Sequence, residues 1–511
     1  MSRVIGSIFS WLLVSCLADQ GLQPVINTSA TQWDRSQALA ELSIDVANIA
    51  EGCATLRNAS MQHIEDYANT RSMTPDRIRD VARKVILLAG ILVLPLGDDI
   101  AVATRASIYA QMLELAVAIN GTFTTMTPFA EGVPMRGWPF IIHSDQLEFE
   151  SYQAGYLMRA VALAAEQAAR VGDHGTAAGL ALAVAAALQD GFLTTDQERT
   201  KVGPRGVVVY VPGTASAGRR KRYYEMHPKW SCLDQPQALN HFESAAVAAV
   251  ALLQACRAID WAKTEWRLVD AEGSPLHRFT FLTEVEAFVG SAAQELLRTL
   301  KERKTGSSSL DRYAGVDGTA WYLWQYKDVS ECPESKTTEG QRHGHSLARW
   351  EDTNHMRYEL IMARTLRAVG HFGVERKHIR GLLVTMLNRV IVDRGAPGGA
   401  RFACDIYGNT TDVRQCSSER AEDKRHLAAA HSLHTAIAAR DDPRVRYDAL
   451  SVVDAVLPLF TVGHTDFIPG TFGRSLCDGK DGDTTLALLE AKYYFYWYKI
   501  GLASSSNLHY W

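Results

Sequence analysis

The sequence predicts an all-α fold, an α/α toroid in which helical hairpins form an incomplete barrel that carries a small β-hairpin insertion. The first observation is that apolar residues recur at spacings of three and four, as on one face of a helix. These segments are residues 36 to 58, 75 to 95, 103 to 119, 147 to 172, 174 to 189, 238 to 263, 281 to 303, 352 to 370, 376 to 393, 420 to 438, 444 to 459 and 483 to 500. The second is that short breaks rich in Gly, Pro and Asp, such as "RVGDHG" and "AARDDPRV", join the helices in pairs. The third is that no strict repeat of about 34 or about 40 residues is visible, which argues against the common helical solenoids.

One stretch departs from the helical pattern. In "RGVVVYVPGTASAGRRKRYY", residues 205 to 224, β-branched residues alternate around a Pro-Gly turn. This pattern is typical of a β-hairpin. We expect it to project from the helical body.

Composition limits the classes of function. The chain has 511 residues, of which 47% are hydrophobic and 22% charged, and its formal net charge is -4 at pH 7. Such a chain can bury a large core, and its charge gives no general attraction to nucleic acid. We therefore expect no nucleic-acid partner. The length allows one large domain or two or three smaller ones, and we expect a single domain over residues 19 to 511.

The first residues, "MSRVIGSIFSWLLVSCLADQG", predict a signal peptide over residues 1 to 18. Arg3 supplies the positive end, an apolar stretch follows, and Ala18 is a small residue before the cut. "LVSC" also resembles a bacterial lipoprotein box, which gives the alternative of a lipid anchor at Cys16. The protein is expected to be secreted or periplasmic. No later segment predicts a membrane span, and residues 84 to 99 predict a core helix that ends at Pro95.

Cysteine and histidine spacing predicts no metal site and no cofactor. Cys404 and Cys416 bracket a loop rich in Gly, Asn and Thr and are candidates for a local disulfide, and no CxxC occurs. "RHGHS" places His343 and His345 ahead of His355, but the spacing matches no zinc pattern such as HExxH.

Two Asn-His pairs stand at predicted helix starts, Asn354-His355 in "WEDTNHMRYEL" and Asn240-His241 in "LNHFESA". In a toroid the inner helices all run one way, so residues at their N-termini converge at one end of the barrel. The positive helix dipole disfavours imidazolium there, and neutral imidazole is the form that a general base needs. Tyr358 lies one turn after His355. The alternative is that Asn caps each helix and His bonds a neighbouring loop.

Basic and aromatic residues suited to an acidic sugar chain lie in three short stretches, "GRRKRYYEMHPKW", "PMRGWPF" and "DRYAGVDGTAW". The candidate binding residues in them are Arg136, Trp138, Arg222, Tyr223, Tyr224, Arg312 and Tyr313. The alternatives are a solvated basic loop and aromatic rings that belong to the core. Tyr152 and Tyr156, in "FESYQAGYL", are interpreted as packing residues.

With its secretion signal, helical hairpins and Asn-His pairs near Tyr and Arg, the chain resembles the α/α-toroid polysaccharide lyases that act on alginate or glucuronan. The resemblance implies β-elimination on an acidic polysaccharide that contains uronic acid. An Asn neutralises the uronate carboxylate, a His or Tyr removes the C5 proton, and a Tyr protonates O4. The implied neutralisers are Asn240 or Asn354, the bases His241 or His355, the acids Tyr313, Tyr223 or Tyr358, and the carboxylate-binding residues Arg349 or Arg312.

Two other functions remain open. An inverting glycoside hydrolase on the same toroid needs two carboxylates that flank the bond, with room for a water. The candidates for that pair are Glu351, Asp352, Asp145 and Glu150. A secreted glycan-binding protein needs only a groove with aromatic side chains.

Overall fold

A computed structural model gives the fold. It describes residues 35–52, 54–71, 77–94, 102–126, 135–140, 151–193, 239–270, 273–304, 320–324, 356–370, 372–393, 401–403, 406–407, 490 and 493. All of them belong to one compact unit, Arg35–Trp511. Of the described region, 76% is helical, which agrees with the all-α prediction.

Ten α-helices lie in the described region. They are α1 (Arg35–Gly52), α2 (Ala54–Thr70), α3 (Arg77–Leu92), α4 (Val102–Gly121), α5 (Ser151–Arg170), α6 (His174–Gly191), α7 (Leu239–Ala258), α8 (Arg278–Thr299), α9 (Arg357–Val369) and α10 (Arg376–Thr385). A π-helical turn, Met386–Val390, continues α10. Local signals explain several ends. The side chain of Asp173 accepts a hydrogen bond from the backbone N–H of Thr176 at the start of α6, and Gly370 ends α9 in the left-handed region.

The strands of the described region form three antiparallel pairs. β1 (Thr124–Met126) pairs with β2 (Met135–Gly137), β3 (Lys301–Lys304) with β4 (Ala320–Leu323), and β5 (Ile391–Asp393) with β6 (Arg401–Phe402). Two helix predictions are therefore wrong at their C-terminal ends, because residues 301 to 303 and 391 to 393 pair as strands instead. The β-hairpin predicted over residues 205 to 224 lies outside the described residues.

Four helices form a row in the order α3, α5, α7, α9, in which each contacts the next. The intervening helices pack against this row. α4 lies against α3 and α5, α6 against α5 and α7, and α8 against α7 and α9. The fold thus has a row of four helices, and the helix that follows each of the first three in the chain packs against the row.

Small residues let α5 and α7 approach each other closely. A Cβ added at Gly155 would lie 2.7 Å from the backbone carbonyl carbon of Ser244 and 2.8 Å from its Cβ. The hydroxyl of Ser244 donates a hydrogen bond to the carbonyl oxygen of Tyr152, at 3.0 Å. This contact fixes the start of α5 against the start of α7.

The core helix predicted over residues 84 to 99 corresponds in part to α3, which is buried continuously from Ile78 to Ile91. Two residues from the far end of the chain pack against it. Glu490 bonds Arg83, and the ring of Tyr493 lies against Gly90. Both have helical backbone conformation, as the pattern over residues 483 to 500 predicts.

Among the described helices, α4 alone is long and apolar enough to cross a membrane. It packs against α1, α2, α3 and α5. Its buried residues form one stripe, made of Ile108, Met112, Leu115, Ala116 and Ile119. Core helices can pass the same test of length and composition, so α4 by itself is weak evidence for a membrane span.

Candidate functional site

The first two turns of α3, α5 and α9 bring arginine and tyrosine side chains together. We call this group the tyrosine–arginine cluster. Its members are Arg79, Arg83, Tyr152, Tyr156, Arg357 and Tyr358. Each is at most 7% exposed, so the cluster is buried among the helix starts. α7 joins it through Ser244, which bonds the backbone of Tyr152.

Three tyrosine rings surround one guanidinium. The ring centroids of Tyr152 and Tyr358 are 4.8 Å apart, those of Tyr152 and Tyr156 5.8 Å, and those of Tyr156 and Tyr358 5.7 Å. The guanidinium carbon of Arg357 lies 5.1 Å from the ring centroid of Tyr358, 5.9 Å from that of Tyr156 and 6.0 Å from that of Tyr152. These distances are within the range of cation–π attraction.

Arg357 also donates hydrogen bonds to phenol oxygens. Its Nη2 donates to Oη of Tyr152 in a short contact and to Oη of Tyr358 at 3.5 Å. A guanidinium has donors and no acceptor, so the phenol oxygen must accept. The O–H proton of Tyr152 therefore points away from Arg357.

The arginines of α3 complete the cluster on another side. The guanidinium carbon of Arg79 lies 5.8 Å from the ring centroid of Tyr152. Nε of Arg83 donates to Oε1 of Glu490 at 2.9 Å, and its Nη1 lies 3.6 Å from Oδ1 of Asp80. Arg83 is thus paired with a carboxylate of its own helix and with one that lies 407 residues later in the chain.

Burial keeps Tyr156 and Tyr358 protonated. It raises the pKa of Tyr156, and it raises the pKa of Tyr358 well above the usual value, while the positive charge of Arg357 acts in the opposite direction on both. Near neutral pH these side chains are phenols that donate a proton in a hydrogen bond. A phenol beside a guanidinium is suited to act as a general acid, because the cation stabilises the phenolate that remains.

Two further carboxylates lie at the same helix starts. Glu243 on α7 and Glu359 on α9 are both 0% exposed. Both have interacting partners in the structure. The helix starts thus contain both buried carboxyl groups and buried guanidinium groups.

Of the residues predicted from the sequence, Tyr358 lies in the cluster. Arg136 is part-buried and is held by Asp190, since its backbone N–H and its Nε donate to Oδ2 of that residue at 2.9 and 2.7 Å. Its Nη2 donates to Oδ1 of Asp190 and to the carbonyl oxygen of Val269, both at 2.8 Å. These bonds give Arg136 a structural partner, and they raise its pKa.

Trp138 is also in the interior. It is 0% exposed, its Nε1 donates to the carbonyl oxygen of Ile119 at 3.0 Å, and its ring meets that of Phe123 edge-on at 5.1 Å. In this conformation its ring packs against the protein instead of presenting a face to a sugar.

The remaining predicted residues are mostly outside the described part of the chain. Asn240 and His241 occupy the first turn of α7, but their side chains are not among those described. The predicted residues that lie wholly outside are Asn354, His355, Tyr313, Arg312, Arg349, Arg222, Tyr223 and Tyr224. Cys404 and Cys416, the candidates for a disulfide, are outside as well.

The sequence interpretation missed most of the cluster. Tyr152 and Tyr156 were assigned to packing, and Arg79, Arg83 and Arg357 were not singled out. One signal was available, since Arg79 and Arg83, like Tyr152 and Tyr156, are four residues apart in the first turns of apolar helices and so share a face.

Within the part of the chain that the structure describes, no group of three or more His, Cys, Asp or Glu side chains is arranged to hold a metal ion. Comparison of the chain with protein-family models, with curated proteins and with solved structures finds no match in any of the three.

Proposed function

We propose that the protein is a secreted or periplasmic polysaccharide lyase with an α/α-toroid fold. Its substrate is a uronic-acid-containing polysaccharide of the alginate or glucuronan type, which it cleaves by β-elimination. The observation that carries the proposal is the tyrosine–arginine cluster, in which guanidinium and phenol groups meet at the starts of helices in one row.

Two features support the toroid. The helices of the row α3, α5, α7, α9 alternate along the chain with α4, α6 and α8, which pack on them. This is the arrangement of inner and outer helices that successive hairpins produce. Glu490 and Tyr493 contact α3, the first helix of the row, so the far end of the chain returns to the beginning of the row.

The cluster contains two of the groups that β-elimination requires. A cation beside the uronate carboxylate makes the C5 proton more acidic, and Arg79 and Arg357 are the candidates. As the C5–H bond breaks, the electron pair forms the C4–C5 double bond and the C4–O4 bond breaks. O4 then takes a proton, for which Tyr152 and Tyr358 are the candidates because each accepts a hydrogen bond from Arg357. His355 or His241 remains the proposed base, with Asn354 or Asn240 as the partner that neutralises the carboxylate.

The alternative is an inverting glycoside hydrolase. Glu243 and Glu359 bring carboxylates to the same helix starts, which is the observation in its favour. The carboxylates predicted for this role from the sequence, Glu351, Asp352, Asp145 and Glu150, lie outside the described residues. Elimination is favoured because the described groups in contact with the ring of Tyr152 include Arg79, Arg357 and two further tyrosines.

The test is to incubate the protein with alginate, glucuronan, hyaluronan and heparosan and to follow ultraviolet absorbance. Elimination leaves a conjugated 4,5-unsaturated uronate that absorbs, whereas hydrolysis leaves new reducing ends without absorbance. A rise with one polymer supports a lyase and identifies its substrate. Reducing ends alone support the hydrolase, and no cleavage of any polymer contradicts the lyase for these substrates and leaves a glycan-binding protein.

Point variants then test the site. At least one of the variants Tyr358→Phe and Tyr152→Phe should lose ~10²-fold or more of the cleavage rate, which is the usual contribution of a general acid. Tyr67→Phe is the matched control, because Tyr67 is also a buried phenol but donates to the carbonyl oxygen of Pro139, at 2.8 Å. His355→Ala and His241→Ala test the base, and wild-type rates in both contradict the Asn-His assignment.

A further inference from the structure

We propose that Glu490 is a positioning residue of the candidate site, which holds the guanidinium of Arg83 at the tyrosine–arginine cluster and balances its charge. This inference rests on the proposed function, and it adds the far end of the chain to the site. Nothing in the sequence pattern connects Glu490 with Arg83, which is 407 residues earlier.

The contact itself is the first argument. Nε of Arg83 donates to Oε1 of Glu490 at 2.9 Å, and the side chains are only 1% and 12% exposed. A charge-assisted hydrogen bond with so little solvent is stronger than a surface ion pair. Arg83 has a second carboxylate neighbour, Asp80, but that distance is 3.6 Å and both residues belong to α3. Glu490 therefore provides the closer contact, and it comes from another element.

The packing around Glu490 is the second argument. Tyr493, three residues later, is 2% exposed and lies so close to Gly90 that a Cβ there would be 2.8 Å from Cζ of its ring. Gly90 follows Arg83 by seven residues on α3. Glu490 thus contacts the earlier position on α3, Arg83, and Tyr493 contacts the later one, Gly90. Glu490 is thus presented to Arg83 by a segment that is anchored on the same helix.

Arg83 follows Arg79 by four residues on one face of α3, as Tyr156 follows Tyr152 on α5, the helix that packs against α3. We therefore infer that Arg83 acts on the cluster through Tyr156. The charged and titratable groups that face Tyr156 among the described residues are Arg79 and Arg83 from α3, Tyr152 from α5, and Arg357 and Tyr358 from α9. The positive charge of Arg83 favours the phenolate of Tyr156. The negative charge of Glu490 reduces that effect and keeps Tyr156 protonated to higher pH.

The test uses Glu490→Gln, which keeps the shape and an acceptor oxygen but removes the charge. Because Arg83 is then less compensated, a tyrosine of the cluster should ionise at lower pH. We expect the basic limb of the pH profile of kcat/KM to move to lower pH by on the order of half a unit, less than a charge in direct contact produces. Glu490→Asp, which keeps the charge, should restore the limb towards its wild-type position.

Glu286→Gln is the matched control. It breaks another Glu–Arg pair, with Arg257 at 3.0 Å, in which both side chains are about half exposed. It should leave the limb unchanged. A limb that does not move in Glu490→Gln, or that moves equally in Glu286→Gln, overturns the inference and leaves the proposed function intact.

A second readout does not need turnover. Tyrosinate absorbance is titrated in the wild type and in Glu490→Gln, each with and without Tyr156→Phe, while circular dichroism monitors folding. The rise in tyrosinate absorbance that disappears with Tyr156→Phe reports the ionisation of Tyr156. This step should occur at lower pH in Glu490→Gln than in the wild type. If the wild type cleaves no polyuronate but this step moves, the proposed function fails, while the electrostatic effect of Glu490 on Tyr156 stands. If the step does not move, the inference fails.

Discussion

The close contact between α5 and α7 predicts that Gly155→Ala destabilises the protein. Replacing a helical glycine with alanine normally stabilises by about 1 kcal/mol. At Gly155 the new Cβ would lie 2.7 Å from the carbonyl carbon of Ser244, which is backbone and cannot rotate away. Overpacking of this kind costs ~1–3 kcal/mol, and a rigid neighbour favours the upper end. The expected net loss is therefore about 1–2 kcal/mol, measured as the free energy of unfolding in urea.

Gly179→Ala is the control for the same chemical change. Gly179 lies inside α6, is exposed, and has nothing within 4 Å of an added Cβ. It should gain about 0.5–1 kcal/mol, so the two variants should change stability in opposite directions. If Gly155→Ala is as stable as Gly179→Ala, then α5 and α7 are farther apart than described here, and the placement of Tyr152 beside Ser244 is wrong.

Three further predictions concern single side chains. Arg136→Ala leaves the nearly buried carboxylate of Asp190 without this partner, so the free energy of unfolding in urea should fall by about 3 kcal/mol. A small loss of stability with a raised KM would instead support the sugar-binding role predicted from the sequence. Burial raises the pKa of the Cys256 thiol to about 12. Iodoacetamide at pH 8 should therefore leave this thiol unmodified, as measured by mass spectrometry, until urea unfolds the protein. Rapid labelling of the native chain would contradict its burial. Arg357→Lys keeps the charge but not the planar guanidinium, which lies among three tyrosine rings and bonds two phenols through Nη2, so kcat/KM should fall by at least ~10-fold in a protein of unchanged helix content. A wild-type rate would show that the charge alone is sufficient.

The local pattern predicts helices well where one face is apolar along the whole helix. Residues 174 to 189 were predicted and His174–Gly191 is observed, since Asp173 is a strong N-cap and the apolar face is continuous. Residues 103 to 119 correspond to Val102–Gly121 in the same way. The all-α prediction rests on such segments, and the described region agrees with it.

The pattern fails where a distant strand competes with the helix. The segment 376 to 393 has helical spacing throughout, but its α-helix ends at Thr385, a π-helical turn follows, and Ile391 pairs with Phe402. Residues 301 to 303 likewise pair with β4, which begins at Ala320. These pairings depend on a strand outside the helical segment, and helical periodicity contains no information about it.

The site shows the same limit more strongly. Tyr152 and Tyr156 have the spacing of any aromatic pair on a buried face, so packing was the natural interpretation. Only the fold brings them to Arg357, which is 205 residues from Tyr152. The predicted convergence at helix starts concerned the two Asn-His pairs, whose side chains lie outside the described part of the chain, so it stays a prediction. The cluster brings other residues together at helix starts. The chemical identity of the converging residues was predicted only for Tyr358.

The positions of the arginines are themselves an argument for function. Arg357 is the first residue of α9 and Arg79 lies in the first turn of α3, where the helix dipole disfavours a cation by about 0.3–1 kcal/mol or more. An acidic residue in each of these turns, Asp80 and Glu359, offsets that cost. Yet a buried set of balanced charges adds little to stability, since apolar residues of the same size often stabilise a core equally well or better. Stability alone therefore does not account for guanidinium groups at these helix starts. Natural proteins depart from such local rules mainly at functional sites, and a site that must bind a carboxylate and donate a proton requires these two groups side by side.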